Sequence, residues 1–180
     1  MKTTRAIRVA IPWCLLFTFA SCSQPSANSK DAPATTAASP DTQRITSESV
    51  VKVSAQPVDL PAGGSAEANV TLTVRSGYHV NANPPTFPYL KPTEVEVPAA
   101  DGVALGLITY PKALEKKFPF ADKPLAVYEG ASVIKVMLKA EQTAKPGARS
   151  LSARVRIQAC DDQVCYAPGM LPLAIPVNIK

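Results

Sequence analysis

A chain of 180 residues, 46% apolar and 18% charged, can bury one real core but leaves little room for a second domain. Its net charge of +5 does not mark a nucleic-acid binder, because no basic stripe with interleaved aromatics runs along it. Eighteen prolines against eight glycines, with Val, Leu, Ile and Ala in short runs broken by Pro, Gly, Asn and Asp, argue for an all-β domain.

Residues 1–22 read as an export signal: Lys2, Arg5 and Arg8 supply a basic start, Ile11 to Ala20 an apolar stretch, and small residues precede Cys22. The stretch is too short to span a bilayer stably, and no other segment is apolar enough to cross one. Phe19-Ala20-Ser21-Cys22 resembles the lipobox of bacterial lipoproteins, with Phe in the place usually held by Leu. That resemblance implies lipidation of Cys22, a mature chain beginning there, and an N-terminal lipid anchor in the bilayer. Ser23 then points to the outer membrane rather than the inner one, with the domain facing the periplasm. Ordinary secretion with cleavage nearby, or an uncleaved anchor, is the plainer reading. If the signal is removed, Cys14 leaves with it and Cys22 carries lipid, so the domain keeps Cys160 and Cys165. Two thiols in an oxidising compartment should pair. Of the 19 basic residues, three go with the signal, leaving 16 against 14 acidic ones, a net +2.

Residues 23–46 are Ser, Ala, Thr and Pro with almost nothing to bury, the composition of a flexible tether. Such a tether would hold a domain at a distance on the order of tens of Å from a membrane surface. From 47 to 180 the pattern is strands. Residues 68–75 alternate apolar and polar, as a strand with one face on a core does. Residues 93–97 and 103–109 predict short strands, and 132–139 a longer one. Leu151, Ala153, Val155, Ile157 and Ala159 share one phase; Ser152, Arg154, Arg156, Gln158 and Cys160 share the other, which places Cys160 with the polar face. In the last strand Leu171, Leu173, Ile175, Val177 and Ile179 alternate with Pro172 and Pro176, which suits an edge strand. Seven or eight short strands at this spacing suggest an immunoglobulin-like two-sheet β-sandwich.

The chemistry concentrates in Ile157-Gln158-Ala159-Cys160-Asp161-Asp162-Gln163-Val164-Cys165-Tyr166-Ala167-Pro168-Gly169. A disulfide between Cys160 and Cys165 would close a very small loop, for which chain entropy assigns only about 2 kcal/mol. It would tie a turn to itself, whereas a staple joins distant strands more usefully, and small surface disulfides are the kind that exchange partners. Both a structural and a redox reading stay open at this point. Asp161 and Asp162 disfavour a thiolate beside them, and Arg154 and Arg156 could offset this if they share the face. The two aspartates read as a solvated tip rather than an acid and base pair. No Cys-x-x-Cys occurs, so the pair fits better as a disulfide attacked by another protein's thiolate. His79, the single histidine, reads as solvated or structural. A copper site from Cys160, Cys165, His79, Met137 and Met170 suits Cu(I) by ligand type, but nothing in the sequence fixes those residues together, and no metal site is expected.

Three ordered landmarks carry a resemblance: Gly77-Tyr78-His79-Val80-Asn81-Ala82-Asn83-Pro84-Pro85, then Tyr128-Glu129-Gly130, then the run from Gln158 to Pro168. Over residues 47–180 the chain resembles the N-terminal periplasmic domain of the thiol:disulfide interchange protein DsbD. The resemblance implies an immunoglobulin-like sandwich with a redox-active cysteine pair near one end, exchanging electrons with thioredoxin-fold redox proteins of the envelope and needing no cofactor. It matches Cys160 and Cys165 to the redox pair and favours Cys165 for the mixed disulfide. A cap loop with an aromatic tip is implied, for which Phe118 or Phe120 is the counterpart, with Tyr128, Tyr166, His79 and Asn81 as further cap or site-lining residues. The chain departs from well-known members in having four residues between the cysteines rather than five, and His79 and Asn81 where they have tyrosines. The expectation is a protein-disulfide reductase component without its own electron-transporting membrane domain, served by a separate donor. A non-catalytic immunoglobulin-like binding module with a structural disulfide is the alternative.

Overall fold

The computed structural model describes residues 44–180. The expected export signal, the lipid-bearing Cys22 and the tether up to residue 43 lie outside the described residues.

Apolar alternation builds the frame. In β3 (Ser65–Val74) and β9 (Ala131–Ala140), every second residue of Ala68 to Val74 and of Ile134 to Ala140 is buried, and those between are not. The two strands pair antiparallel, and β1 (Val51–Ala55) and β6 (Val103–Thr109) flank them in the order β1-β3-β9-β6. A second sheet takes the order β2-β12-β10-β5, from β2 (Val58–Leu60), β12 (Gly169–Ile179), β10 (Gly147–Ile157) and β5 (Glu94–Glu96). Its β10 buries Leu151, Ala153, Val155 and Ile157, and its β12 buries Leu173, Ile175, Val177 and Ile179. These residues join Val70, Leu72, Ile134 and Val136 in one core. Each such side chain contributes about 1.5–3 kcal/mol by leaving water. The frame is therefore the two-sheet all-β sandwich that the alternation predicts.

Two details differ from expectation. Strand β12 is not an edge along its whole length, because β2 adds to it in parallel at Val177 to Ile179 while β10 pairs along its other side. Pro172 and Pro176 precede the β2-paired stretch, so their missing N–H groups cost that ladder nothing. The described residues also form twelve strands rather than seven or eight, with a third small sheet, β11-β4-β8-β7, from β11 (Ala159–Cys160), β4 (His79–Asn81), β8 (Leu125–Tyr128) and β7 (Leu114–Lys116). Strands of two to four residues are too short to show a period of two.

The small sheet positions the cysteines. Its register sets Val80 against both Ala159 and Tyr128, and all three face the sandwich core. By alternation His79, Asn81, Val127 and Cys160 face the other way. On that side lies a second apolar cluster of Leu90, Phe118, Leu125 and Val127, with Phe87 and Ala121 packed against it.

Candidate functional site

Gln158 interrupts the chain between β10 and β11, and there the strand changes partners from β12 and β5 to β4. Cys160 and Cys165 then face each other across a tight turn and are joined by a disulfide, with S–S 2.01 Å. Hydrogen bonds hold the turn independently of that bond. Asp161 Oδ1 accepts from the backbone N–H groups of Gln163 and Val164, both at 2.8 Å, and the Tyr166 hydroxyl donates to Oδ2. The N–H of Asp161 donates to Val164 O and that of Tyr166 to Ala159 O, each at 2.9 Å. The Tyr166 hydroxyl above all, then the two backbone donors, holds the Asp161 carboxyl below the usual range. The same carboxylate pushes the Tyr166 phenol up to about 12. Only Asp162 is the solvated tip expected of the pair; Asp161 is half-buried and organises the turn.

The legs of the turn meet a residue from the far end of the domain. Ser47, fully buried, accepts at Oγ from the N–H of Ala159 at 3.0 Å and donates to Ala167 O at 2.6 Å. Its hydroxyl thus bridges the residue before Cys160 and the second residue after Cys165. Next to it the Glu48 carboxylate accepts from the N–H of Met170 and lies where a Cβ at Gly169 would stand, so a side chain there would have to displace it.

The two sulfurs differ in access. Cys160 is fully buried, contrary to its phase with the polar face of β10. The change of sheet at Gln158 sets Cys160 opposite His79, on the side where His79 stacks on Phe118. Cys165 is half-buried and lines a groove of ≈ 490 Å³ with Tyr89, Leu90, Phe120, Leu125 and Val164. Tyr89, Phe120 and Val164 present 71%, 43% and 51% of their surface to solvent there, an apolar rim beside the accessible sulfur. Arg154 and Arg156 do not offset the aspartates: they pair with Glu96 and Glu94 on β5, one strand over.

The aromatic and polar residues expected at the site take distinct positions. Phe118 is buried and stacks on His79 with centroids 4.1 Å apart, and on its other neighbour Phe120 at 5.3 Å. Of the two rings Phe118 is the inner, buried one and Phe120 the outer, exposed one. Lys116 lies over the Phe118 ring at 5.4 Å and pairs with Glu129 at 2.6 Å. His79 is buried rather than solvated, and burial first of all lowers its pKa, with Lys116 acting the same way against Glu129, Asp162 and Asp161. Asn81 Nδ2 donates to Gln158 Oε1 at 3.0 Å and to Lys91 O at 3.2 Å, which fixes the break between β10 and β11. Tyr128 lies on the core side, its hydroxyl accepting from the N–H of Asn83, and does not line the cysteine face. Tyr166 packs toward Tyr78 at 6.1 Å. The candidate copper donors are not assembled: Met137 is on β9 in the other sheet, opposite Glu67. Among the described residues no cluster of three or more His, Cys, Asp or Glu is placed to hold a metal ion.

Sequence reasoning missed Ser47, Gln158, Tyr89 and Val164. Ser47 looked like the end of a Ser-rich tether, and Tyr89 is brought in from a loop. Only Val164, an apolar residue at the tip of an otherwise polar turn, carried a local signal.

A disulfide turn at one end of an immunoglobulin-like β-sandwich, with one sulfur buried and the other at an apolar groove, defines a class of thiol-bearing domain. The sequence profile described as thiol:disulfide interchange protein DsbD, N-terminal, matches residues 46–170, and the chain belongs to that family. The fold is similar to the crystal structure of the Neisseria meningitidis DsbD N-terminal domain in its reduced form, at 18% identity and TM-score 0.50, covering 78% of this chain and 95% of that one. A more distant likeness is to the N-terminal periplasmic domain of ScsB from Proteus mirabilis, at 13% identity and TM-score 0.48, covering 69% of this chain and 44% of that one. None of the curated proteins matches the chain in sequence.

Proposed function

We propose that this domain is a thiol-disulfide relay of the bacterial cell envelope, passing reducing equivalents through Cys160 and Cys165 to or from thioredoxin-fold partners. The observation that carries it is the unequal access of the two sulfurs. A thiolate can approach Cys165 along the groove, whereas Cys160 is fully buried. Exchange then has a defined order. The incoming thiolate attacks Cys165 Sγ, the bond to Cys160 breaks, and its electron pair goes to Cys160. The partner's second thiolate attacks the mixed disulfide and releases Cys165, leaving the domain as a dithiol and the partner oxidised. The reverse sequence reduces a partner. Membership of the DsbD N-terminal family supports this chemistry, and the apolar rim of Tyr89, Phe120 and Val164 suits a partner that presents its own thiol from an apolar surface. Residues 1–22 as a lipoprotein signal ending at Cys22, 23–46 as a tether, and 47–180 as the working domain place that chemistry on a periplasm-facing anchor.

Trapping decides it. With the full-length chain, Cys160→Ser leaves Cys165 to accumulate a mixed disulfide with a thioredoxin-fold partner, and Cys165→Ser gives none. Equal trapping by both variants would overturn the order of attack. No trapping by either, with the double Cys→Ala variant folded and fully functional, would favour a binding module with a structural disulfide.

A further inference from the structure

His79 is the single histidine of the chain, and the exchange described above does not use it. It stands directly across the β4–β11 ladder from Cys160. Directly opposed residues of antiparallel strands emerge on the same face, with Cβ atoms about 4.5–5.5 Å apart. The imidazole is 1% exposed, is covered by the Phe118 ring, and has no hydrogen-bond partner at Nε2. A buried donor or acceptor without a partner is costly, so its retention asks for a use. Beside it lies a fully buried sulfur that must depart as an anion each time Cys165 is attacked, in surroundings that penalise an unpaired charge.

We propose that His79 is the acid–base partner of Cys160: its ring N–H donates a hydrogen bond to the Cys160 sulfur as that sulfur leaves Cys165. This inference rests on the relay reading. In the balanced step the attacking thiolate forms a bond to Cys165 Sγ, and the broken bond's electron pair resides on Cys160 Sγ, stabilised by the imidazole. The proton that converts Cys160 to a thiol comes from solvent by way of the imidazolium. In the reverse direction the ring takes that proton as Cys160 attacks. The leaving sulfur's lowered pKa speeds its departure.

Burial, rather than the surrounding charges, keeps the ring uncharged at rest. Burial lowers its pKa and Lys116 lowers it further, while Glu129, Asp162 and Asp161 act in the opposite sense. A neutral imidazole beside a neutral disulfide carries no buried charge, and the ion pair forms only when the thiolate does. Tyrosine at this place would offer a hydroxyl donor but would not accept a proton to form a cation, so the histidine makes the proton balance of this domain its own.

Because there is one imidazole, its NMR resonance can be followed through a pH titration of the full-length chain without assignment ambiguity. The protein is compared as the disulfide and after reduction by a phosphine, which opens the bond whether or not any biological partner does. In the reduced protein the imidazole resonance is expected to move a second time, at the pH where the Cys160 thiol ionises; coupled groups share their titration steps. His79→Phe should raise the thiol's pKa by about one unit, leaving about tenfold less thiolate at neutral pH. His79→Gln, which keeps an N–H donor, should recover most of that loss. An imidazole that titrates identically in both redox states, with thiol ionisation unchanged in His79→Phe and His79→Gln, would overturn the proposal. Coupling without any trapped partner would leave His79 in its role and sink the relay reading alone.

Discussion

Two apolar clusters lie back to back across the small sheet, and they are built in different ways. The sandwich core is closed on both sides by long ladders, β3 with β9 and β10 with β12, whose alternating residues allow no other register. The second cluster has a sheet on one side only. Leu125 and Val127 come from β8, but Leu90 and Phe118 come from connecting segments that pair with no strand. Cys160 lies in the small sheet, its side chain fully buried on the second cluster's side by alternation. A disulfide placed there rests on a hydrogen-bonded sheet, and the connecting segments above it are tied at fewer points, among them Lys91 to Asn81 and Gln158. If the proposed relay operates, the sheet fixes the sulfurs and the loop segments set what reaches them.

Breaking the sandwich core should cost most. Ile134→Ala, in the fully buried centre of β9, is expected to lose about 2–5 kcal/mol of stability without changing the ratio of dithiol to disulfide in the folded fraction, which denaturant unfolding and thiol alkylation read separately. Phe118→Ala should cost about 3 kcal/mol, near the lower end for a buried aromatic, because its cluster opens to solvent and can relax. Its diagnostic effect is kinetic: reduction of the disulfide by a small thiol such as glutathione should quicken by tenfold or more, and an unchanged rate would show that Phe118 covers nothing. Ser47→Ala should cost about 1–2 kcal/mol, leaving the buried N–H of Ala159 and the carbonyl of Ala167 without partners. It should also loosen the dithiol turn, so that the reduced form closes more slowly on oxidation.

The smallest effect is one of pH. The Asp161 carboxyl has a depressed value in the folded protein, mainly through the Tyr166 hydroxyl. Its contribution is therefore present above the unfolded value of about 4 and lost as pH falls through the lower folded value. The Tyr166 phenol, raised to about 12, contributes below about 10, and that contribution is lost as pH rises through about 12. Spectrophotometric titration of the oxidised protein should show one phenol ionising late, and Asp161→Asn should bring it forward. Both groups are half-exposed to water at the turn, which screens the pair, so stability should change only slightly.

Much of this was legible in the sequence, for a physical reason. Strands β3, β9 and β10 are ten or eleven residues long, enough for alternation to declare both strand and face. The cysteine pair was legible from spacing, and its setting from the Gln158 to Pro168 run. What alternation could not show is a strand that changes sheets. Residues 151–160 kept one period throughout, yet the break at Gln158 moved Cys160 from a polar face to a covered one. Nor could local pattern find Ser47, whose two hydrogen bonds cross 112 and 120 residues of chain. Phe118 and Phe120 were equivalent candidates in sequence, and only packing separates the buried ring from the exposed one.

The central claim is that the Cys160–Cys165 bond is made to exchange. Its equilibrium reduction potential tests this most directly, measured on the full-length chain in defined thiol buffers with alkylation and mass readout. The account expects a value in the region of roughly −180 to −270 mV, among proteins that trade disulfides. A value well below roughly −300 mV, where structural disulfides lie, would contradict it.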